Sequence, residues 1–244
     1  MHNVETGCTP VSTVTGASRC RKAHGNTPCA QSYLNLQPML KNLLFDLGGV
    51  IVDIRRQNCV DAFLQLGFSD IEAYLGEYGQ KGPFLLLEEG RISPDEFRRE
   101  VRRHIPSPVS DSQIDRAFNA FITGIPRERL QALRDLRAKG HRLYVISNTN
   151  PIMWHGPIDE AFRQEGLTIS DYFDGIVTSF NIGVCKPHPA IFRAVTDKFG
   201  IIPSETIFLD DSAENCRIGA ELGFSPLHVP AESSFMPILE KADL

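Results

Sequence analysis

The chain lacks a CxxC pair, an excess of basic residues, an apolar run long enough to cross a bilayer and a glycine-rich GxGxxG turn, and each absence removes a class of function. Its six cysteines (Cys8, Cys20, Cys29, Cys59, Cys185 and Cys216) are scattered, which argues against both a zinc ribbon and a disulfide framework, so reduced thiols are expected. A site assembled from Cys8, Cys20, His24 and Cys29 would have irregular spacing for zinc. With 25 Lys and Arg against 30 Asp and Glu, the net charge of -5 disfavours a general nucleic-acid binder, which uses a basic surface to displace counterions from phosphates. A membrane-spanning helix needs about 20 apolar residues in a row, and the N-terminus has no apolar stretch of the kind found in secretory signals. A soluble, cytoplasmic protein is expected, with small ligands rather than nucleic acid or membrane as partners. The missing GxGxxG after the first strand sets aside a dinucleotide-binding dehydrogenase.

What is present is an ordinary globular composition, 42% hydrophobic and 23% charged over 244 residues, enough for one core and a subsidiary domain. Residues 1–38 are rich in Thr, Ser, Asn and Gly, contain Glu5 as their only acid and show no periodicity, so they are read as an unstructured extension. Met39 stands just before the first strand and is an alternative start for the folded unit. From there the pattern is of short, continuous apolar runs that end in polar residues. Leu43-Leu44-Phe45 runs into Asp46, Leu143 to Ile146 into Ser147-Asn148, and Ile207-Phe208-Leu209 into Asp210-Asp211. Gly175 to Thr178 and Pro226 to Val229 read as further strands. Helical stretches at about Arg127–Lys139, Pro189–Phe199 and Ala213–Leu222 fall between them. The expected fold is α/β, a Rossmann-like parallel sheet with helices on both faces, whose ligand crevice lies beyond the strand C-termini. Between Asn58 and Thr123 the signals turn helical, with capping boxes at Ser93-Pro94-Asp95-Glu96 and at Ser110 with Gln113, and no strand is expected there. The predicted layout is therefore a core of residues 39–55 and 127–244, with residues 56–126 as an inserted all-helical cap.

In that fold Asp46, Ser147, Lys186, Asp210 and Asp211 converge at one edge. Three carboxylates in one cleft repel unless a cation intervenes, and Lys186 neutralises one of them. A divalent metal balances the rest, and an all-oxygen donor set suits Mg2+, which keeps several waters and binds substrate phosphate.

Four ordered segments carry a resemblance: Phe45-Asp46-Leu47-Gly48-Gly49-Val50, Ser147-Asn148-Thr149, Lys186-Pro187 and Asp210-Asp211-Ser212. Each is weak alone, but in this order at strand ends they resemble the motifs of the haloacid dehalogenase superfamily. The DLGGV form, the helical cap and Ser-Asn-Thr-Asn are similar to its α-D-glucose-1-phosphatase-like branch. The resemblance implies a magnesium-dependent phosphatase that acts on a small phosphorylated metabolite, such as a sugar phosphate. Asp46 would be the nucleophile that forms an aspartyl phosphate. Ser147 and the Asn148 backbone N–H would hold the transferring phosphoryl oxygens, and Lys186 would neutralise their charge. The metal would be held by Asp46, the Gly48 carbonyl and Asp211, with Asp210 direct or through water. Asn215 would position Lys186 or the metal shell. Blander readings stand beside these: a strand-end cap for Asp46, a turn residue for Ser147, a solvated lysine for Lys186, and a helix cap for the acid pair, although Ser212 is the more natural cap.

One position departs from the family pattern. The second Asp, two residues after the nucleophile, serves as acid and base; here it is Gly48. A general acid contributes about 10²–10⁴ in rate, so anomeric, acyl or aryl phosphates are expected to be preferred over ordinary alkyl phosphates, provided no cap residue replaces it. Glu88 and Glu89, which precede Gly90 in the cap, are candidates to face the substrate. Trp154 is read as a core aromatic, and His104, His141 and His155 as structural or exposed. Two rivals remain. One is a haloacid dehalogenase using Asp46, against which the Asp210–Asp211 pair speaks. The other is a degenerate phosphate-binding member of the family, which Gly48 favours.

Overall fold

The computed structural model describes residues 42–76, 78–230 and 233–242, all within the compact unit Pro38–Leu244. The expectations for residues 1–38, including Cys8, Cys20, His24 and Cys29, lie outside the described residues. The first strand, β1 (Asn42–Phe45), leads through a turn to a short β2 (Asp53–Ile54) and into helices α1 (Arg56–Leu66), α2 (Gly82–Glu88), α3 (Pro94–Arg102) and α4 (Asp111–Asn119). The chain returns through β3 (Ile122–Gly124), then runs α5 (Arg127–Ala138), β4 (Arg142–Ser147), three short helices α6 (Pro151–Met153), α7 (Asp159–Phe162) and α8 (Ile169–Tyr172), β5 (Gly175–Thr178) and α9 (Ser179–Ile182). It ends with α10 (Pro189–Phe199), β6 (Thr206–Asp210), α11 (Ala213–Glu221), β7 (Ser225–His228) and α12 (Met236–Lys241).

The main sheet is parallel throughout, in the order β5-β4-β1-β6-β7. Its central strands are continuously apolar because both faces are covered, and successive side chains alternate between two cores. Leu43, Phe45, Leu143, Val145, Ile207 and Leu209 face one core, with Leu130 and Leu133 of α5 and Phe235. Leu44, Tyr144, Ile146 and Phe208 face the other, closed by Ile191, Phe192 and Val195 of α10. Register decides where the chemistry falls. Phe45 is level with Val145 and Leu209, so the next residue, Asp46, emerges beside the ends of β4 and β6.

Both expected capping boxes form: Ser93 with Glu96 and Ser110 with Gln113 satisfy the orphan N–H groups at the starts of α3 and α4. The four helices α1–α4 bury a nest of rings, Phe63, Phe68, Phe84, Phe97 and Phe118, with Phe84 edge-on to Phe63, Phe97 and Phe118 at 5.0–5.6 Å between centroids. The expectation of no strand between residues 58 and 123 is corrected by β3, which pairs antiparallel with β2. At three residues it is too short to carry a period-two pattern, and its partner lies about 70 residues earlier in the chain. Arg129, buried on α5, clasps this junction by donating from Nη1 to the Ile51 carbonyl (3.0 Å) and to Asp53 Oδ1 (2.8 Å), and from Nη2 to the Ser233 carbonyl (3.3 Å). No helix among the described residues is long and apolar enough to cross a membrane.

Candidate active site

Asp46 leaves β1 with its backbone N–H donating to the Leu209 carbonyl (2.8 Å), so the edge of the sheet sets its position. Its Oδ1 accepts from the Leu47 N–H (2.6 Å) and from Lys186 Nζ (2.7 Å). The same ammonium donates to Asp210 Oδ2 (2.7 Å), bridging the ends of β1 and β6. Asp210 is fully buried, and its Oδ1 accepts from the Ser212 N–H and from Asn215 Nδ2, both at 2.9 Å. Of the two places expected for Asn215, Lys186 or the metal shell, its side chain reaches the second, donating to Asp210. Ser212 caps α11 by accepting from the Asn215 N–H (3.4 Å), so the acid pair is not consumed as a cap.

Lys186 is held by its backbone. Its N–H donates to Asn148 Oδ1 (2.6 Å), and Asn148 Nδ2 donates back to the Lys186 carbonyl (2.9 Å). This reciprocal pair uses the Asn148 side chain to lock the loop after β5 onto the end of β4. A second clasp runs parallel to it: the Thr149 N–H donates to Ser179 Oγ, which donates to the Thr149 carbonyl, both at 3.0 Å.

The two glycines after Asp46 are not equivalent. Gly49 has φ +76°, and a Cβ there would lie 2.2 Å from Asp211 Oδ2, so the carboxylate packs directly on the glycine backbone. At Gly48 a Cβ would meet, among the described residues, the Ile54 side chain at an ordinary 3.6 Å.

Carboxylate oxygens of Asp46, Asp210 and Asp211 lie within 4.8 Å of one another. Burial pushes the Asp46 carboxyl up to about 8, against the pull of Lys186 and with a further push from Asp210 and Asp211. Burial and then Asp210 push Asp211 up to about 6. Burial opposes the charge on Lys186, but Asp210 and Asp46 outweigh it and hold the ammonium above its usual range. One lysine is thus too little positive charge for three carboxylates, and the cluster takes up protons unless another cation is supplied. Hard oxygen donors with surplus negative charge fit magnesium.

The cluster opens onto a cleft of roughly 100 Å³. Asp46, Gly48, Ser147, Asn148, Lys186, Asp211 and Asn215 line its floor, while Asp210 sits behind them. The rest of the lining, the wall, is made by Ile54, Tyr78, Gln80, Glu88, Phe121 and Ile122, together with Met153 and Ile158. Of the two glutamates expected near the substrate, Glu88 lines the cleft and is buried; Glu89 does not, and pairs with Arg91 (3.2 Å). Burial, helped by Glu89, pushes the Glu88 carboxyl up to about 8. Gln80 Oε1 and Thr149 Oγ1 are buried without a hydrogen-bond partner among the described residues. Trp154 packs half-buried against Phe180 and His104 stacks on Phe68, both away from the cleft lining. Sequence reasoning missed Tyr78, Gln80, Phe121 and Ile122, which carry no motif, and Thr149, whose unpartnered hydroxyl follows the Ser147-Asn148 pair directly.

A family model described as haloacid dehalogenase-like hydrolase matches residues 40–223. A D-ribitol-5-phosphate phosphatase from Bacteroides thetaiotaomicron is 39% identical over 186 residues, covering 76% of this chain and 90% of the relative. A glyceraldehyde 3-phosphate phosphatase from Pyrococcus abyssi is 29% identical, covering 75% and 78%. Among solved structures, a haloacid dehalogenase family enzyme from Bacteroides thetaiotaomicron, crystallised with magnesium and inorganic phosphate, superposes with a TM-score of 0.76 at 40% identity, covering 81% of this chain and 98% of that one.

Proposed function

Given that the chain belongs to the haloacid dehalogenase-like hydrolase family, we propose that it hydrolyses a small sugar or polyol phosphate with magnesium, through an aspartyl phosphate on Asp46. The observation that carries this reading is the meeting of Asp46, Lys186, Asp210 and Asp211 at the ends of parallel strands, with the carboxylate oxygens within 4.8 Å and a single ammonium among them. When bound, magnesium would be held by Asp46, Asp211 and the Gly48 carbonyl, with Asp210 direct or through water, and would supply the positive field that keeps these carboxylates ionised and offsets phosphoryl charge.

The chain's own groups divide the remaining work. Leu47 and Lys186 occupy Oδ1 of Asp46, so Oδ2 is the oxygen that attacks phosphorus. Ser147 and the Asn148 N–H, on the floor of the cleft, hold the transferring phosphoryl oxygens, and Lys186 offsets the charge that grows on them. Asn215 and Asn148 act behind these groups, one orienting Asp210 and the other holding Lys186 in place. The substrate class is supported by the phosphatases of small polyol and triose phosphates among the relatives. The unpartnered buried oxygens of Gln80 and Thr149 add to that support, because they suit a molecule that brings hydroxyl donors.

The test is phosphate release from a panel of pentitol, aldose and triose phosphates, with magnesium and after chelation, together with borohydride trapping of the acyl phosphate. Magnesium-dependent release with label on Asp46 is expected. Halide release from 2-haloacids, indifferent to magnesium and without phosphatase activity, would overturn the reading in favour of a dehalogenase.

A further inference from the structure

Expelling an alcohol from phosphorus leaves an alkoxide that must be protonated, and a positioned acid contributes about 10²–10⁴ in rate. None of the groups on the floor is suited to this. Asp46 is the nucleophile, Lys186 is bonded to two carboxylates, and Gly48 has no side chain. Among the described residues, the lining of the cleft away from these groups includes one carboxyl, that of Glu88 at the end of α2.

Three observations single it out. Its side chain lines the same cleft as Asp46 and Lys186 although the residue is only 7% exposed. Among the described residues no hydrogen bond or ion pair reaches its carboxyl, whereas the neighbouring Glu89 is engaged with Arg91. Its placement relative to the strand ends is fixed by Gly90, two residues on, where φ is +62° and a Cβ would lie 2.1 Å from the Phe180 carbonyl oxygen of α9. The end of α2 is therefore seated, backbone against backbone, on the segment that follows β5.

We propose that Glu88 is the proton donor to the leaving group and the base that activates water, taking from the cap side of the cleft the role that position 48 does not provide; this rests on the phosphatase reading above. In the first step Asp46 Oδ2 forms a bond to phosphorus, the bond from phosphorus to the ester oxygen breaks, and that oxygen takes the Glu88 proton as the alcohol departs. In the second, the Glu88 carboxylate takes a proton from water as the water oxygen bonds to phosphorus. The bond from phosphorus to Asp46 breaks, releasing inorganic phosphate and restoring both side chains. The protonation state agrees: burial keeps the carboxyl a proton donor up to about pH 8, and the groups facing it are Glu89 and the Cys185 thiol, itself pushed up to about 12. With such an acid the enzyme is not confined to anomeric, acyl or aryl phosphates, and phosphate esters of ordinary alcohols become substrates.

The experiment measures kcat of the magnesium-loaded full chain over esters from pentitol and glycerol phosphates to phenyl and p-nitrophenyl phosphates. Glu88→Gln should lower the rate on alkyl esters by about 10²–10⁴ and on p-nitrophenyl phosphate by less than about tenfold, steepening the dependence on leaving-group pKa. It should also remove the alkaline limb near pH 8 from the pH–rate profile. Glu89→Gln should keep the wild-type slope. Gly48→Asp added to Glu88→Gln should flatten the slope again, since a Cβ at 48 is in ordinary contact with Ile54 at 3.6 Å. If Glu88→Gln proves unstable, Glu88→Asp should give an intermediate slope in a folded protein. A folded Glu88→Gln enzyme with the wild-type slope overturns the assignment of Glu88 and leaves the phosphatase reading standing; a wild type that releases no phosphate from any ester with magnesium takes down both.

Discussion

The floor and the wall of the cleft are built on opposite terms. On the floor, polar side chains are tied to one another. Lys186 bridges Asp46 and Asp210, Asn215 and the Ser212 N–H hold Asp210, and Asn148 holds the Lys186 backbone. On the wall, the Glu88 carboxyl has no partner among the described residues and Gln80 Oε1 is buried unpaired, amid Ile54, Phe121 and Ile122. A floor satisfied internally holds charge in place whatever binds, and a wall left polar and unpaired is completed by the ligand. The charged cluster is thus confined to the floor, while the wall carries the proposed proton donor Glu88 and polar groups left for a ligand to pair.

Breaking the floor should have the largest effect. Asp46→Asn removes the proposed nucleophile while keeping its size, and turnover should fall by at least about 10³-fold with no acyl phosphate trapped and an unchanged circular dichroism spectrum. A folded variant with most of its magnesium-dependent turnover would move the nucleophile elsewhere. Next comes Lys186→Met, which strips the one ammonium that the described residues bring to a buried acid cluster. Losing one partner of a buried pair costs about 3–5 kcal/mol. Urea denaturation without metal should show such a loss at pH 8, a smaller one at pH 5 and partial recovery with magnesium.

The glycine pair sharpens the comparison within the floor. Gly49→Ala combines a positive φ with a 2.2 Å approach to Asp211, so a loss of about 1–3 kcal/mol and weakened magnesium binding are expected by calorimetry. Gly48→Ala should change stability by less than about 1 kcal/mol. Equal costs would mean that the packing of Asp211 on Gly49 does not matter. A further prediction concerns pH. Folding raises Asp46 to about 8 and Asp211 to about 6, above the ordinary 3.8, so between about pH 4 and 8 the folded chain binds more protons than the unfolded one. The metal-depleted protein should lose stability as pH rises through that window, by no more than about 1.4 kcal/mol per unit for each group, and magnesium should flatten the slope. Thermal melts across pH with chelator and with magnesium measure this directly; a chelated protein that gains stability from pH 4 to 8 would show that these carboxyls are not raised.

The floor was largely legible in the sequence and the wall was not, for a physical reason. Runs such as Leu43–Phe45 and Ile207–Leu209 mark buried parallel strands, and parallel strands deliver the residues that follow them to one edge, so Asp46 and Asp210-Asp211 could be brought together on paper. Ser93 and Ser110 announced their helices by the reciprocal chemistry of a capping box. The wall depends on how helices pack, and no local pattern carries that. Glu88 and Glu89 are adjacent, yet about 100° of helical rotation separates a cleft residue from a surface one. Gln80 and Phe121 reach the cleft from segments with no motif, and β3 is defined by a distant partner rather than by its own three residues. The role of Gly49 was hidden likewise, because it is set by Asp211, far along the chain.

The β2–β3 pairing has an evolutionary consequence. Arg55 donates its N–H to the Phe121 carbonyl at 2.8 Å, so the chain leaves for the helical stretch and returns from it at a single seam, clasped by Arg129. A segment whose two ends are already hydrogen-bonded to each other can be lengthened, shortened or exchanged without disturbing the register of the main sheet. Recombination at this seam would exchange Glu88 together with the rest of the wall and leave the strand-end acids in place, so the proposed proton donor and the leaving group it serves would change as one unit.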